Sequence, residues 1–196
     1  MDIGSGCGIM SLLIGYRHPD TAITGVEIQK DLANLAQKNI NDNKMEQRIH
    51  ILNKDISQLN TENTDDRFDQ IISNPPYKRV NTGRLNPDPQ KAVARHEIKL
   101  TIQILFAKAE KFLRPKGRIT IIFPAERLLD THQAMQHTSI RPDWLRLVHS
   151  TPKKNAMRII VSAVKNTKSS CRVLPPLYLY DSHGNPTKEY QTVINA

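Results

Sequence analysis

Three glycines at alternate positions, Gly4, Gly6 and Gly8, constrain the fold of this chain more than any other feature. Glycine adopts backbone dihedral angles that are closed to other residues, and it lets the backbone approach a ligand closely. A turn this rich in glycine normally follows a buried strand, and residues 1–3 supply only a stub of one, so we expect an incomplete first strand. Residues 9–16 then show the apolar spacing of a helix. The pattern indicates a strand, a ligand-binding turn and a helix.

Strand-like and helix-like segments alternate from this turn to about residue 138. Alternation indicates a parallel sheet with helices on both faces and ligands at the carboxyl ends of its strands. Two strand-like segments, 145–149 and 158–164, then follow in succession and indicate a hairpin at one edge. We therefore predict an α/β Rossmann-like fold over 1–196, mostly parallel, with an antiparallel edge strand. Residues 172–196 are predicted to form a C-terminal strand or hairpin extension.

The composition limits the classes of function. The longest apolar stretches are strand-sized, which excludes a membrane span, and no signal peptide opens the chain. Two cysteines and seven histidines without ligand spacing predict neither a disulfide framework nor a metal site. These features favour a cytoplasmic protein, and we expect a monomer. The formal net charge of +9 favours a polyanionic partner such as a nucleic acid.

Acidic residues follow the second and third predicted strands. Glu27 ends the segment 22–27, where a carboxylate can accept hydrogen bonds from both hydroxyls of a ribose. Asp55 follows the segment 49–52, where it can accept a hydrogen bond from an adenine amine. The glycine spacing departs from G-x-G-x-x-G because position 9 is Ile9, so the loop suits a ligand with a sulfonium and an amino acid group better than a pyrophosphate.

The tetrapeptide Asn74-Pro75-Pro76-Tyr77 follows the fourth predicted strand, 68–73. The lone pair of an amide or exocyclic aromatic nitrogen is delocalised, so such a nitrogen is a poor nucleophile. The Asn74 side-chain oxygen and the Pro75 carbonyl can each accept one of its N–H bonds, which favours the geometry of the transition state. The prolines preset the backbone, and Tyr77 offers a face for stacking a flipped-out base.

Residues 78–95 are rich in proline, asparagine and arginine and carry no periodicity. Long loops of this kind in compact domains are usually functional, so we predict a substrate loop. Its candidate phosphate contacts are Lys78, Arg79, Arg84 and Arg95. A helix is predicted to follow at 97–113.

Taken together, these motifs resemble the bacterial tRNA1(Val) (adenine(37)-N6)-methyltransferases, within the Rossmann-like class I amino-methyltransferases. The resemblance extends through Arg95-His96-Glu97, Arg114 to Arg118, Phe123 to Arg127 and Leu174-Pro175-Pro176-Leu177. Members of the family have a segment before the glycine loop that completes the first strand, so we expect this chain to be truncated relative to them.

The resemblance implies methyl transfer from S-adenosylmethionine to N6 of the adenine beside a tRNA anticodon. It implies catalytic roles for Asn74, Pro75, Pro76 and Tyr77, and substrate contacts from Tyr77 and the basic loop. The implied cofactor residues are Asp2, Gly4, Gly6, Gly8, Glu27, Asp55 and Asn74. Two alternatives stay open at this point. The same tetrapeptide suits a glutamine N5-methyltransferase acting on a release factor, and an incomplete first strand suits an inactive RNA-binding module.

Overall fold

The computed structural model describes residues 1–60, 67–75, 100–168 and 170–195. Within these ranges the strands are β1 (Asp2–Ile3), β2 (Ile23–Glu27), β3 (Ile49–Asn53), β4 (Phe68–Ser73), β5 (Leu113–Pro124), β6 (Ile140–His149), β7 (Ala156–Lys165), β8 (Arg172–Val173) and β9 (Leu177–Tyr178). The α-helices are α1 (Ile9–Arg17), α2 (Lys30–Asp42), α3 (Ile102–Phe112), α4 (Leu128–Gln136) and α5 (Lys188–Asn195). Short 3₁₀ segments occur at Ile56–Gln58 and Ala125–Arg127.

The described strands form one sheet in the order β3-β2-β1-β4-β5-β7-β6-β8, with β9 also paired to β6. Strand β1 pairs in parallel with both β2 and β4, so the strand order reverses there. The crossovers from β1 therefore lead to one side of the sheet and those from β4 to the other. Such a switch point leaves a crevice at the carboxyl ends of the strands. The predicted α/β Rossmann-like fold is confirmed.

Two apolar clusters cover the sheet. The smaller one joins Leu12 of α1 and Ile40 of α2 to Ile23 and Ile49 of the neighbouring strands. The larger one packs α3 and α4 against the other half of the sheet, with Phe106 and Phe112 of α3 fully buried. Right-handed crossovers in opposite directions from the switch point place the two helix pairs on opposite faces.

The antiparallel strand does not lie at an edge, and that part of the fold prediction is wrong. Strand β7 pairs antiparallel with both β5 and β6, so it lies inside the sheet. The hairpin of β6 and β7 folds back so that the later strand is the inner one. Strands β8 and β9 then pair in parallel with β6 and continue the sheet outwards.

Two further elements differ from the prediction. Helix α3 begins at Ile102 rather than at residue 97, because the Thr101 hydroxyl accepts the N–H of Ile104 and caps the helix. Residues 114–117 lie within β5, where the pairing with β4 shifts register between Phe68 and Gln70. The last part of the extension predicted as a strand or hairpin is the helix α5.

The same described residues contain no helix long and apolar enough to cross a membrane.

Candidate cofactor and substrate site

A cavity of about 250 Å³ lies at the switch point, at the carboxyl ends of the first four strands. The residues that line it come from every one of these strand ends, from α2 and from the start of the segment that leads into α3. They are Ile3, Gly4, Gly6, Val26, Glu27, Ile28, Gln29, Leu32, Lys54, Asp55, Ile56, Asn74 and Leu100. The lining combines apolar walls with a small number of polar groups, which is typical of small-molecule sites.

The glycine loop forms one wall of this cavity. Gly4, Gly6 and Gly8 have φ angles of 76°, 54° and 82°, which favour glycine over any residue with a side chain. A Cβ atom added at Gly4 or Gly6 would meet nothing within 4 Å, so the cavity reaches the bare backbone there. The Val26 carbonyl accepts the N–H groups of Gly4 (2.8 Å) and Ser5 (3.1 Å) and fixes the loop against β2.

Glu27 joins the loop to the end of β2. The residue is only 5% exposed, and its two carboxylate oxygens accept the backbone N–H groups of Gly6 and Gln29, both at 2.9 Å. A carboxylate has about four acceptor positions, so these two bonds leave about two more. Two acceptor positions match the two hydroxyls of a ribose. The bonds present also hold the carboxylate in place before any ligand binds.

Asp55 and Asn53 organise the end of β3. The Asp55 carboxylate accepts the N–H of Ser57 at 2.8 Å, which caps the 3₁₀ segment Ile56–Gln58, and Asp55 lines the cavity. The Asn53 amide donates to the carbonyls of Glu27 (2.9 Å) and Ile28 (3.1 Å). Asn53 thus ties two adjacent strand ends together at the cavity. Asn53 was not among the predicted site residues, although its place directly after the predicted strand 49–52 was a usable signal.

Asn74 follows β4 and lines the cavity from the side opposite β2. The preceding residue, Ser73, is 1% exposed, and its hydroxyl donates to the Ile3 carbonyl at 2.7 Å. This bond locks the last residue of β4 to the last residue of β1. Pro75 is buried, whereas Asn74 is exposed. The backbone on both sides of Asn74 is therefore anchored while its side chain faces accessible space.

Asp2 and Gly8, which the sequence placed among the cofactor residues, do not line the cavity. Asp2 is 1% exposed, and its carboxylate accepts the Ser11 hydroxyl at 2.8 Å, which ties β1 to α1. Burial raises the pKa of the Asp2 carboxyl, the bond from Ser11 opposes that rise, and the charge of Glu27 adds to it. A Cβ on Gly8 would lie 3.2 Å from the Cβ of Ala36, so this glycine allows α1 and α2 to pack closely.

The remaining predicted site residues, Pro76, Tyr77, Lys78, Arg79, Arg84 and Arg95, lie outside the described residues, as does the whole predicted loop 78–95. The structure therefore brings together Gly4, Gly6, Glu27, Asp55 and Asn74. No group of three or more His, Cys, Asp or Glu side chains in the described ranges could hold a metal ion.

The cavity fits S-adenosylmethionine, the cofactor that the resemblance implies. The open space against Gly4 and Gly6 accommodates a ligand lying on the backbone. Glu27 has acceptor positions left for ribose hydroxyls, and the apolar side chains of Leu32 and Ile56 suit a flat heterocycle. The chemistry of the lining thus matches a nucleoside with an amino acid tail.

The fold is shared with known methyltransferases. A solved structure from Agrobacterium tumefaciens, described as a predicted O-methyltransferase, superimposes with a TM-score of 0.78 and covers 99% of this chain and 86% of that one. Its sequence is 18% identical, so the similarity concerns the fold.

Sequence comparison gives the family. The chain is 33% identical over 162 residues to a tRNA1(Val) (adenine(37)-N6)-methyltransferase of Porphyromonas gingivalis, a match that covers 82% of this chain and 63% of that protein. The protein of the same name from Dyadobacter fermentans is 28% identical over 190 residues, covering 94% of this chain and 75% of the relative. Residues 1–141 match the methyltransferase small domain. The chain therefore belongs to the methyltransferase small domain family and has the class I methyltransferase fold.

Proposed function

We propose that this protein transfers a methyl group from S-adenosylmethionine to the exocyclic N6 of an adenine in RNA, at position 37 of a tRNA. The observation that carries the proposal is the convergence of Glu27, Asp55 and Asn74 on one cavity beside the glycine loop. These side chains come from three separate strand ends, so their meeting at one place is a property of the fold rather than of one local motif. The relatives' printed names support the choice of tRNA as substrate.

The residues around the glycine loop hold the cofactor in this proposal. S-adenosylmethionine supplies a methyl group activated by its sulfonium charge. Gly4 and Gly6 present bare backbone to it, Glu27 accepts hydrogen bonds from its ribose, and Asp55 accepts one from its adenine amine. Because the carboxylate of Glu27 is already fixed by two N–H donors, little reorganisation accompanies binding.

Asn74 and Pro75 act on the target amine. The side-chain oxygen of Asn74 and the carbonyl of Pro75 each accept one N–H of the adenine amine. Both bonds strengthen as the nitrogen becomes tetrahedral and positive, so they stabilise the transition state more than the ground state. The anchoring of Ser73 to Ile3 keeps the backbone in register for this task. A strong base is unnecessary, because the attached proton becomes acidic once the methyl group has been transferred.

RNA is the substrate that the charge of the chain favours. A net charge of +9 suits a polyanion, and it argues against the glutamine side chain of a release factor as the target. In this proposal the protein acts as a monomer in the cytoplasm, where tRNA is found.

Incubation with isotope-labelled S-adenosylmethionine tests the proposal. Bulk tRNA from cells without this activity and a release factor are offered in parallel, and the products are digested and identified by mass spectrometry. We expect label in N6-methyladenosine from tRNA. Label in glutamine of the release factor, or tRNA binding without any cofactor binding, would contradict the proposal in favour of one of the two alternatives.

A further inference from the structure

The carboxyl edge of the sheet continues well beyond the cavity. Ser73 of β4 pairs with Ile121 of β5, and Pro124, three residues later in β5, pairs with Arg158 of β7. His149, the last residue of β6, pairs with Ala156, the first of β7. The turn at 150–155 that joins β6 to β7 therefore lies at the same edge as the residue that follows Ser73.

The register gives the distance to the site from Arg158, the second residue after Ala156 at the start of β7. Asn74 lies level with Ile122, which pairs with Ile160, and Arg158 lies two residues nearer the edge. Two strand spacings of about 4.8 Å and two residues of about 3.3 Å place the Cα atoms of Asn74 and Arg158 about 12 Å apart. A stacked nucleic acid strand rises about 3.4 Å per nucleotide, so three or four nucleotides span this distance.

Two lysines occupy the tip of the turn. Lys153 and Lys154 are exposed, and neither forms an ion pair with any acidic side chain in the described residues. Exposed acids do occur near this edge, notably Glu126 in the 3₁₀ segment that contacts β7. Another acid, Asp181, accepts the N–H groups of residues 183 and 185, which holds its pKa below the usual range. The tip of the turn therefore carries a local excess of positive charge.

The backbone of the turn is held by three contacts. The Lys154 N–H donates to the Thr151 carbonyl at 3.1 Å, and the Lys154 carbonyl lies 2.8 Å from Nδ1 of His149. The Tyr180 N–H donates to the Ser150 carbonyl at 2.9 Å, which ties the turn to the segment after β9. A turn fixed in this way loses little conformational entropy when it binds a partner. The backbone that carries its lysines is therefore held in place relative to the sheet.

We propose that the turn 150–155, together with Arg158, binds the phosphates of the RNA strand that flanks the target adenine. The inference rests on the proposed function and adds to it a surface on the side of the site away from the glycine loop. The spacing suits a strand whose target base enters the cavity while a phosphate three or four nucleotides away contacts Arg158 and phosphates farther along contact Lys153 and Lys154. Phosphate contacts fix register and orientation and carry no base specificity.

The test compares two double variants of equal charge change. Lys153→Ala/Lys154→Ala removes the turn lysines, whereas Lys111→Ala/Lys116→Ala removes two exposed lysines near the start of β5, at the opposite edge of the sheet. Equilibrium binding of tRNA is measured across a salt series, along with the affinity for S-adenosylmethionine and the melting temperature.

Each phosphate contact to a single strand contributes about 0.7 to the slope of log K against log salt. Loss of both turn lysines should lower the magnitude of the slope by about 1.4 and weaken binding about 25-fold in 0.1 M salt. Cofactor affinity and melting temperature should not change, and Lys153→Arg/Lys154→Arg should bind as the wild type does.

Binding by the turn variant that superimposes on the wild type, or that matches the variant at the opposite edge, would overturn the inference. If the turn variant gives either result while the wild type still methylates adenine in tRNA, the turn is not an RNA-binding surface and the proposed function stands. A wild type that binds no tRNA would overturn both.

Discussion

Glutamine in place of Glu27 tests the construction of the cofactor site with minimal change in volume. In the wild type, both carboxylate oxygens accept backbone N–H groups, those of Gly6 and Gln29. An amide has one oxygen, so Glu27→Gln turns its NH₂ group towards one of these two donors. The change also removes the charge that strengthens hydrogen bonds from ribose hydroxyls. A net hydrogen bond to a charged group contributes about 1.5–3 kcal/mol, and the retained amide oxygen recovers part of that.

We therefore expect Glu27→Gln to weaken cofactor binding by about 1–3 kcal/mol, which is about 5- to 150-fold in Kd. Isothermal titration calorimetry with S-adenosylmethionine or its demethylated product measures the affinity. The melting temperature without cofactor should also fall, because one donor near the glycine loop loses its partner. Glu46→Gln is the control, since Glu46 is exposed and does not line the cavity. Wild-type affinity together with a wild-type melting temperature would refute the role assigned to Glu27.

Three further substitutions test the stability of the fold by urea denaturation. The buried Ser5 hydroxyl has no hydrogen-bond partner in the described residues, so Ser5→Ala should raise the free energy of unfolding by about 1 kcal/mol, and a decrease would contradict this reading. Gly8→Ala should lower the free energy of unfolding by about 1–3 kcal/mol, because alanine is strained at this positive φ and its Cβ would crowd Ala36. An unchanged free energy of unfolding would contradict this strain. The hydrogen bond from Arg118 lowers the pKa of Asp143, so its carboxylate stabilises the fold above the pKa of the unfolded state and loses that effect in acid. Asp143→Asn should accordingly be less stable than wild type at pH 7, with a difference that narrows below about pH 4, and a constant difference would contradict the assignment.

Much of the candidate site follows from the sequence because parallel strands bring their carboxyl ends together. Glu27, Asp55 and Asn74 were each predicted at or just beyond the end of a strand, and the structure has all three on one cavity. The order of these residues behind the glycine loop was sufficient to predict that they share one site, because each strand is short, apolar and bounded by polar residues. Their chemical roles remain predictions.

The sequence could not separate residues that line the cavity from residues that support it. Asp2 and Gly8 belong to the same motif as Gly4 and Gly6, yet Asp2 bonds to Ser11 of α1 and Gly8 packs against Ala36 of α2. Asn53 went unnoticed because its contacts are carbonyl groups on the neighbouring strand. Contacts of this kind depend on strand order, which local patterns do not encode.

Strand order also explains the error about β7. Two successive strand patterns indicate a hairpin, but nothing within them indicates which strand lies next to β5. The error in the C-terminal helix had a different cause, because a signal was present. The Thr187 hydroxyl accepts the N–H of Tyr190, and threonine three residues before a helical N–H is a common cap.

The most direct test of the central claim is the rate of methyl transfer by Asn74→Ala under single-turnover conditions, measured beside its cofactor affinity. In the proposed mechanism Asn74 accepts a hydrogen bond that matters mainly in the transition state. Its loss should raise the activation free energy by about 2–4 kcal/mol and lower the rate roughly 30- to 1000-fold. The Kd for S-adenosylmethionine should change only modestly, because the glycine loop and Glu27 are intact. A near-normal rate, or a loss of rate explained entirely by weaker cofactor binding, would contradict the mechanism.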